Sequence, residues 1–396
     1  MAIIDRGSNQ SSVRQYNERL VLSLIRREGA VSKADLARST GLSAQTITII
    51  IAQLEKDGLV CRQPPTRGKV GQPSVPYALN PEGAYSLGLK VGRRSFDLIL
   101  IDFLGHVVRS VRETYAYPTP ERMLAFLDRG IDVLTADLAP ETLARLCGIG
   151  VAMPFELWNW GEETGAPADK MEAWRNIDVV QEVGKRCDWP VFLCNDATAA
   201  CAAELIFGNP QHHTDFLYIY VGAFIGGGVA LGGMLFMGTH GNAGAIGSML
   251  VPGREGKAAR QLLAIASLTG LEKKLIAGGH PADMLWKTPD YWGDLGALLE
   301  RWVEEAAAGI AFAVLNAVSV MDFPVIIIDG AVPVSVRRAL TAAVQAHIDG
   351  LEHAGLSHVA LIEGTIGGHA RALGGASLPL IANYARDSDV LLKQIA

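Results

Sequence analysis

Residues 220–233 read YVGAFIGGGVALGG, with six glycines among fourteen residues. Backbone amides left open on a glycine loop can cradle a phosphate. The same stretch lies within residues 216–253, a run without Lys, Arg, Asp or Glu and long enough to span a bilayer. The glycines at 222, 226, 227, 228, 232 and 233 count against a membrane helix, because each costs up to ~1 kcal/mol there relative to alanine. Tyr218, Tyr220, Val221, Val229 and Leu231 favour strands. The expectation is two buried strands joined by a tight glycine turn, a third strand near 234–237, and no membrane span. A second stretch, SKADLARSTGLSAQTI at residues 32–47, is suited to reading a nucleic acid. Its Ala44, Gln45 and Thr48 are small or amide side chains on one helix face, the types that meet base edges in a major groove.

These residues need a scaffold. Between residues 16 and 60 three helical segments are expected. Leu20, Leu24 and Ile25 stripe the first, Ser32 caps the second, and Thr40-Gly41-Leu42 turns into a third opening at Ser43. Ile47, Ile50, Ile51 and Leu54 fall at i, i+3, i+4 and i+7, one buried face. A strand opens at Gly58-Leu59-Val60, and residues 67–73, RGKVGQP, form a basic loop. This is the layout of a winged helix-turn-helix, expected over residues 1–69. Candidate DNA contacts are Lys33, Ser43, Ala44, Gln45, Thr46 and Thr48 on the helices and Arg67, Lys69 and Gln72 in the wing. Residues 1–80 hold 11 Lys/Arg against 6 Asp/Glu, and the remainder 24 against 35. A basic head on an acidic body suits a head that meets a polyanion. The same packing also serves protein-pairing modules.

Pro73, Pro76 and Pro81 punctuate an expected linker over 70–83. The body then alternates strands and helices. Strands are expected at SLGLKV, SFDLILID, HVVRSVRETYA, 148–152, VFLCN, within 215–237, VIIID and HVALI. Helices are expected near 120–137, 178–187, from Thr198, 257–277, 297–320, 334–350 and 376–394. The order of elements repeats, so a duplicated α/β body with a cleft between two lobes is expected. The lobes would span 84–205 and 206–375, with residues 376–396 returning to the first. Cys61, Cys147, Cys187, Cys194 and Cys201 are odd in number and lack a C-x-x-C pair, which suits reduced thiols in a cytoplasmic protein. The first residues have no apolar signal core. His212, His213 and His240 read as loop histidines, and no metal site is expected.

LARSTGLSAQTI, NPEGAYSLGLKVGRRS, FLCNDATAACAAE and GGGVALGGMLFMGTHGNAGAIGSM together resemble the ROK family of repressors, open reading frames and sugar kinases, over nearly the whole chain. The resemblance implies an actin-like, ribonuclease-H-like, ATPase-type two-lobed body behind the winged helix-turn-helix, with sugar bound between the lobes. Kinase members read Gly-Ile-Asp-Leu-Gly-Gly-Thr at the first strand turn. Here Lys90 stands for the acid, Arg93 for a glycine and Arg94 for the threonine, which implies that kinase activity is lost. Phe224 replaces a glycine of the second phosphate loop. Asn195 and Asp196 match the pair that meets sugar hydroxyls, Asp196 being the relic base; the alternative is a helix cap at Asp196. Gly244, Ala245 and Ser248 stand where Gly-Glu-Ile-Gly-His is usual, Leu263 aligns with a further sugar-binding Glu, and residues 252–263 lack the zinc loop's cysteines. Trp174 and the aromatics of 155–160 are candidate sugar-facing rings. The resulting expectation is a sugar-responsive repressor of carbohydrate uptake or catabolism genes that takes no cofactor. Its partners would be double-stranded operator DNA and a small sugar or polyol effector, and it would form a homodimer or homotetramer. The rival expectations are an ATP-dependent sugar kinase with an accessory head and a ligand-binding module with a protein-pairing head.

Overall fold

The computed structural model describes residues 10–65, 74–160, 166–253, 258–288 and 290–386. The head comprises α1 (Gln10–Glu28), β1 (Ala30–Ser32), α2 (Lys33–Thr40), α3 (Ala44–Lys56), β2 (Val60–Arg62) and β3 (Pro76–Leu79). Ser32 and Ser43 cap α2 and α3 by accepting from the amides of Asp35 and Thr46. Gly41 ends α2 at φ 72°, a left-handed conformation that disfavours a side chain. Ile47, Ile50, Ile51 and Leu54 are buried against α1 residues Val21 and Ile25, as their spacing requires. β3 is the central strand of the sheet β1-β3-β2 and lies inside the stretch read as a linker. Its proline is its first residue, where a missing ladder donor is tolerated.

The body begins with β4 (Tyr85–Val91), β5 (Ser95–Ile101), β6 (Val107–Thr114), α4 (Pro120–Thr135), β7 (Leu146–Met153), α5 (Val179–Gly184), β8 (Val191–Asn195) and α6 (Asp196–Phe207). The second half runs β9 (Phe216–Val221), β10 (Gly226–Leu231), β11 (Met234–Phe236), α7 (Leu268–Ala277), α8 (Gly296–Met321), β12 (Val325–Gly330), α9 (Val334–Gly350), β13 (Ala360–Glu363) and α10 (Ala370–Tyr384). The sheets are ordered β6-β5-β4-β7-β8 and β11-β10-β9-β12-β13. In each, three antiparallel strands are followed by two parallel ones, so the halves repeat one topology. The uncharged stretch near 216–253 is thus the meander β9-β10-β11. Among the described residues one helix, α8, is long and apolar enough to cross a membrane, and its Trp302, Ile310 and Val314 are buried in the second lobe's core.

Two helices differ from expectation. The helix expected over 257–277 is interrupted at Ser267, whose ψ of 151° is extended and whose hydroxyl serves the glycine hairpin instead. The last helix starts at Ala370 rather than 376. Its glycines are costly in isolation, but Gly374 lies against the Ala199 carbonyl, where a Cβ has no room, and the Gly375 carbonyl fills the space that a Cβ on Gly150 would need. Close backbone approach outweighs propensity there. Gly374→Val should therefore overpack the α6–α10 crossing and destabilise the chain by ~3 kcal/mol or more. A lower urea midpoint at unchanged slope would register this.

α10 crosses the back of the first lobe, and one apolar cluster links it to the head. Ala372, Ala376 and Leu380 of α10, Ile99 and Phe103 of the first lobe, and Val21, Ile25 and Leu36 of the head belong to it. Arg26 donates to the Phe103 carbonyl at 2.8 Å, and Tyr384 meets the Phe103 ring edge-on at 5.0 Å. Burial pulls the Arg26 guanidinium down to about 10, although Asp102 opposes the shift.

Candidate effector cleft and DNA-reading face

A cavity of about 370 Å³ opens between the lobes, and Asn195, Asp196, Ala245 and Ser248 all line it. Asn195 ends β8, and its Oδ1 accepts from the amides of Ala197 and Thr198 at 2.9 and 3.4 Å. The helix cap is therefore Asn195. Its carbonyl oxygen is committed, which leaves the amide NH2 as this side chain's donor. Asp196 is the first residue of α6. One of its oxygens accepts from Arg371 Nη1 at 3.1 Å, and both side chains are mostly buried. Arg371 comes from the first turn of α10 and lies 5.1 Å from the Tyr220 ring. Burial works against its charge, but Tyr220, Asp196 and Asp97 together hold its proton more tightly than usual.

Behind this pair, Lys90 is buried and donates to Asp97 Oδ2 at 2.6 Å and Ser95 Oγ at 3.0 Å. Burial and the nearby Arg371 pull its ammonium down to about 8 against the opposing pull of Asp97. Arg112 reaches the other Asp97 oxygen at 3.3 Å. The position that carries an acid in the kinase pattern therefore holds a cation locked into an ion pair, a poor partner for magnesium.

Arg93 and Phe224, two departures from that pattern, meet across the cleft. The Arg93 guanidinium lies over the Phe224 ring, so a residue of the first lobe's turn covers the second lobe's glycine hairpin. Arg94 approaches Glu272 of α7 at 3.6 Å, a second link between the lobes. The hairpin's own groups are also occupied. The Ile225 amide donates to Ser267 Oγ at 3.0 Å, and the Gly222 carbonyl accepts from the Leu268 amide at 3.0 Å. The glycines let β10 pack tightly: a Cβ on Gly228 meets Cys201, and one on Gly227 meets the Tyr218 and Gly244 carbonyls. This hairpin is built as structure.

Two expected ligand contacts are displaced. Trp174 is buried in the first lobe's core, with its indole NH donating to the Pro118 carbonyl at 3.2 Å, and does not reach the cavity. Gly244, at φ 79°, packs against the backbone of Gly227 and Gly228 rather than lining the cleft. Phe155 does line it, whereas Trp158 packs on the first lobe's core. Glu156, Asn159, Asn242, Gln261 and Arg371 are polar lining residues that the sequence reading missed. Asn159 Nδ2 donates to Glu156 Oε2 at 2.7 Å. The arrangement presents amides, two hydroxyls, two carboxylates, two guanidinium groups and aromatic rings, a balanced donor and acceptor set suited to a polyhydroxylated molecule.

On the head, Ala44, Gln45 and Thr48 are exposed along α3, with Ser43 at its cap. Thr46 is half-buried, and its hydroxyl bonds to Ser43 Oγ at 2.9 Å. Lys33 stands 5.5 Å over the Tyr77 ring at the start of α2. Ile49, which the sequence reading passed over, is 57% exposed beside Gln45 and Thr48. Arg67, Lys69 and Gln72 lie outside the described residues.

The ROK family model matches residues 86–380, about three-quarters of the chain. The chain belongs to the ROK family. A MarR family model matches residues 16–68 of this ROK chain, the winged-helix head. The Bacillus subtilis xylose repressor is 27% identical over 244 residues, 62% of this chain and 62% of that protein. The N-acetylglucosamine repressor of Escherichia coli O157:H7 is 26% identical over 247 residues, 61% of this chain and 59% of that protein. The chain thus spans about three-fifths of the length of the curated relatives it matches. Among solved structures, a ROK family transcriptional regulator described as a homolog of the E. coli MLC protein aligns at a TM-score of 0.66, with 21% identity over 96% of this chain and 98% of that one. A ROK family glucokinase from Streptomyces griseus, in complex with glucose and AMPPNP, aligns at 0.58 with 19% identity over 74% of this chain and 99% of that one. The first alignment spans nearly the whole chain and the second about three-quarters of it; at these identities they speak to fold alone.

Proposed function

We propose that this ROK protein is a sugar-responsive DNA-binding transcriptional regulator, a repressor of carbohydrate uptake or catabolism genes, whose nucleotide site has become a structural link between the lobes. The observation that carries the reading is α10. One end supplies Arg371 to Asp196 in the cleft; at the other end Leu380 shares an apolar cluster with Val21 and Ile25 of the head, and the Arg386 amide just beyond donates to Ser23 Oγ of α1. The fifteen residues of α10 span roughly 22 Å, with Pro379 breaking the hydrogen-bond ladder near the end that faces the head. A polyol hydroxyl donating to Asp196 competes with Arg371 for that carboxylate. Release of Arg371 frees the first turn of α10, and the head shifts with the helix. Such a ligand acts only through a difference in affinity between the two arrangements. The names of the relatives make xylose and N-acetylglucosamine the first effectors to try.

The same reading includes loss of phosphoryl transfer, supported by Lys90 standing where the kinase pattern has an acid and by Arg93 lying over Phe224 at the glycine hairpin. We further assign Ala44, Gln45, Thr48 and Ile49 to base edges, Lys33, Ser43 and Thr46 to the DNA backbone nearby, and Arg67, Lys69 and Gln72 to the backbone flanking the site. A homodimer or homotetramer in the cytoplasm would present two heads to a palindromic operator. A mobility shift on the DNA beside the protein's own gene, with and without sugars, tests the whole reading.

A further inference from the structure

Where the head meets the body a second cavity of about 450 Å³ opens, distinct from the effector cleft. Its walls come from α1 and the end of α2 on the head, and from the end of α6, the loop at 208–214, the turn at 232–233 and the end of α10 on the body. The side chains lining it include Arg26, Arg27, Arg386, His212 and His213, and no carboxylate among the described residues. The guanidinium groups are held in place without being neutralised within the cavity. Arg26 donates to the Phe103 carbonyl, and Arg386 donates to the Gly232 carbonyl at 2.6 Å while its amide donates to Ser23 Oγ at 3.1 Å. Among the described residues Arg27 pairs with Glu28 at 2.9 Å, an exposed and weak pair, and Asp102, which is not among the lining residues, lies near enough to Arg26 to favour its charge.

The neighbouring carboxylates are turned to other duties. Asp215 accepts from the Thr214 hydroxyl and the Gly232 amide. Glu204 is buried and accepts from the Asn209 amide and from Thr365. The loop is itself braced: Asn209 and His212 hold left-handed φ values of 51° and 57°, and Asn209 exchanges two hydrogen bonds with the His213 backbone. A braced pocket lined by guanidinium groups, with no carboxylate among its described lining residues, is a receptor for phosphate oxygens.

The geometry points to a second small-molecule site at this junction, one that takes a compact phosphate-bearing metabolite. A DNA phosphate is the other source of the same chemistry, but no residue of α3 lines the cavity, and its walls are shared between head and body. A ligand here bridges α1 to the end of α10, the helix whose first turn faces the effector cleft, so it sets the head's position from the opposite end. The site does not depend on which molecule the cleft accepts.

The test is calorimetric titration of the full chain with pyrophosphate. Wild type should bind it, and both Arg27→Gln/Arg386→Gln and Ser39→Glu, an exposed rim position, should weaken binding at least tenfold. Ser39→Glu decides the matter if the arginine variant does not fold. Arg93→Gln, in the cleft, should leave the affinity unchanged. Absence of binding to wild type, or equal binding by the folded junction variants, overturns the site. Loss of binding in Arg93→Gln places the anion in the cleft and overturns it as well. A drop in operator affinity and salt slope in the arginine variant without pyrophosphate assigns these cations to DNA and overturns it too.

Discussion

Asp196→Asn should abolish the sugar response and, because it opens the same Arg371 clasp that the ligand is proposed to open, also lower sugar-free operator affinity. The carboxylate is the one acidic group at the end of β8 that both faces the cleft and holds α10 through Arg371. A hydrogen bond to a charged group contributes ~1.5–3 kcal/mol, so ligand affinity should fall by roughly ten- to a hundredfold. The substitution also takes the hydrogen-bonded counter-charge from buried Arg371, leaving only Asp97, which Lys90 and Arg112 already engage; the loss costs ~3–5 kcal/mol of stability. A double variant, Asp196→Asn with Arg371→Gln, removes that orphan. It should regain most of the lost stability without regaining the response, which separates the carboxylate's binding role from its structural one. Denaturation midpoints and sugar-dependent anisotropy of a labelled operator give both readouts. A normal response in the single variant would remove Asp196 from the effector site.

The second large effect belongs to Ile49. It is exposed at the centre of the face made by Gln45 and Thr48, where a β-branched side chain can press on a thymine methyl. Ile49→Glu puts a carboxylate among DNA phosphates on a helix that tolerates glutamate well. Operator affinity should drop at least ~100-fold at fixed salt, equivalent to ~2.7 kcal/mol. The melting temperature should stay close to wild type, because the residue packs no core. Unchanged DNA affinity would mean that α3 is not the reading helix.

Much of this site is local in the chain and so was legible. Lys90, Arg93 and Arg94 sit on one turn, Asn195 and Asp196 are adjacent, and the glycine hairpin carries its own strand signals. Ile49 was legible too: once Ile47, Ile50, Ile51 and Leu54 take the buried face, Ile49 falls with Gln45 and Thr48 on the other. Arg371 was not. It lies 175 residues from Asp196, in a glycine-rich segment whose propensity argues against a helix, and only packing against Ala199 and Gly150 makes those glycines favourable. Trp174 went astray because ring type does not tell which side of a loop the ring faces, and here the core and the Pro118 carbonyl claimed it. The prolines at 76 and 81 read as linker punctuation, yet a proline that opens a strand costs the ladder nothing. The meeting of Arg93 with Phe224 required both departures to be placed in space, since neither predicts the other from chain position.

The central claim is that one molecule joins a sugar cleft to a DNA-reading head without turning over nucleotide. It is tested most directly by a gel mobility shift of the full chain on the DNA beside its gene, across xylose, N-acetylglucosamine and a panel of other sugars and polyols, with magnesium and ATP present throughout. The account predicts a shifted band that one compound changes, at constant ATP. No band on any DNA, together with sugar-dependent formation of ADP, would contradict it.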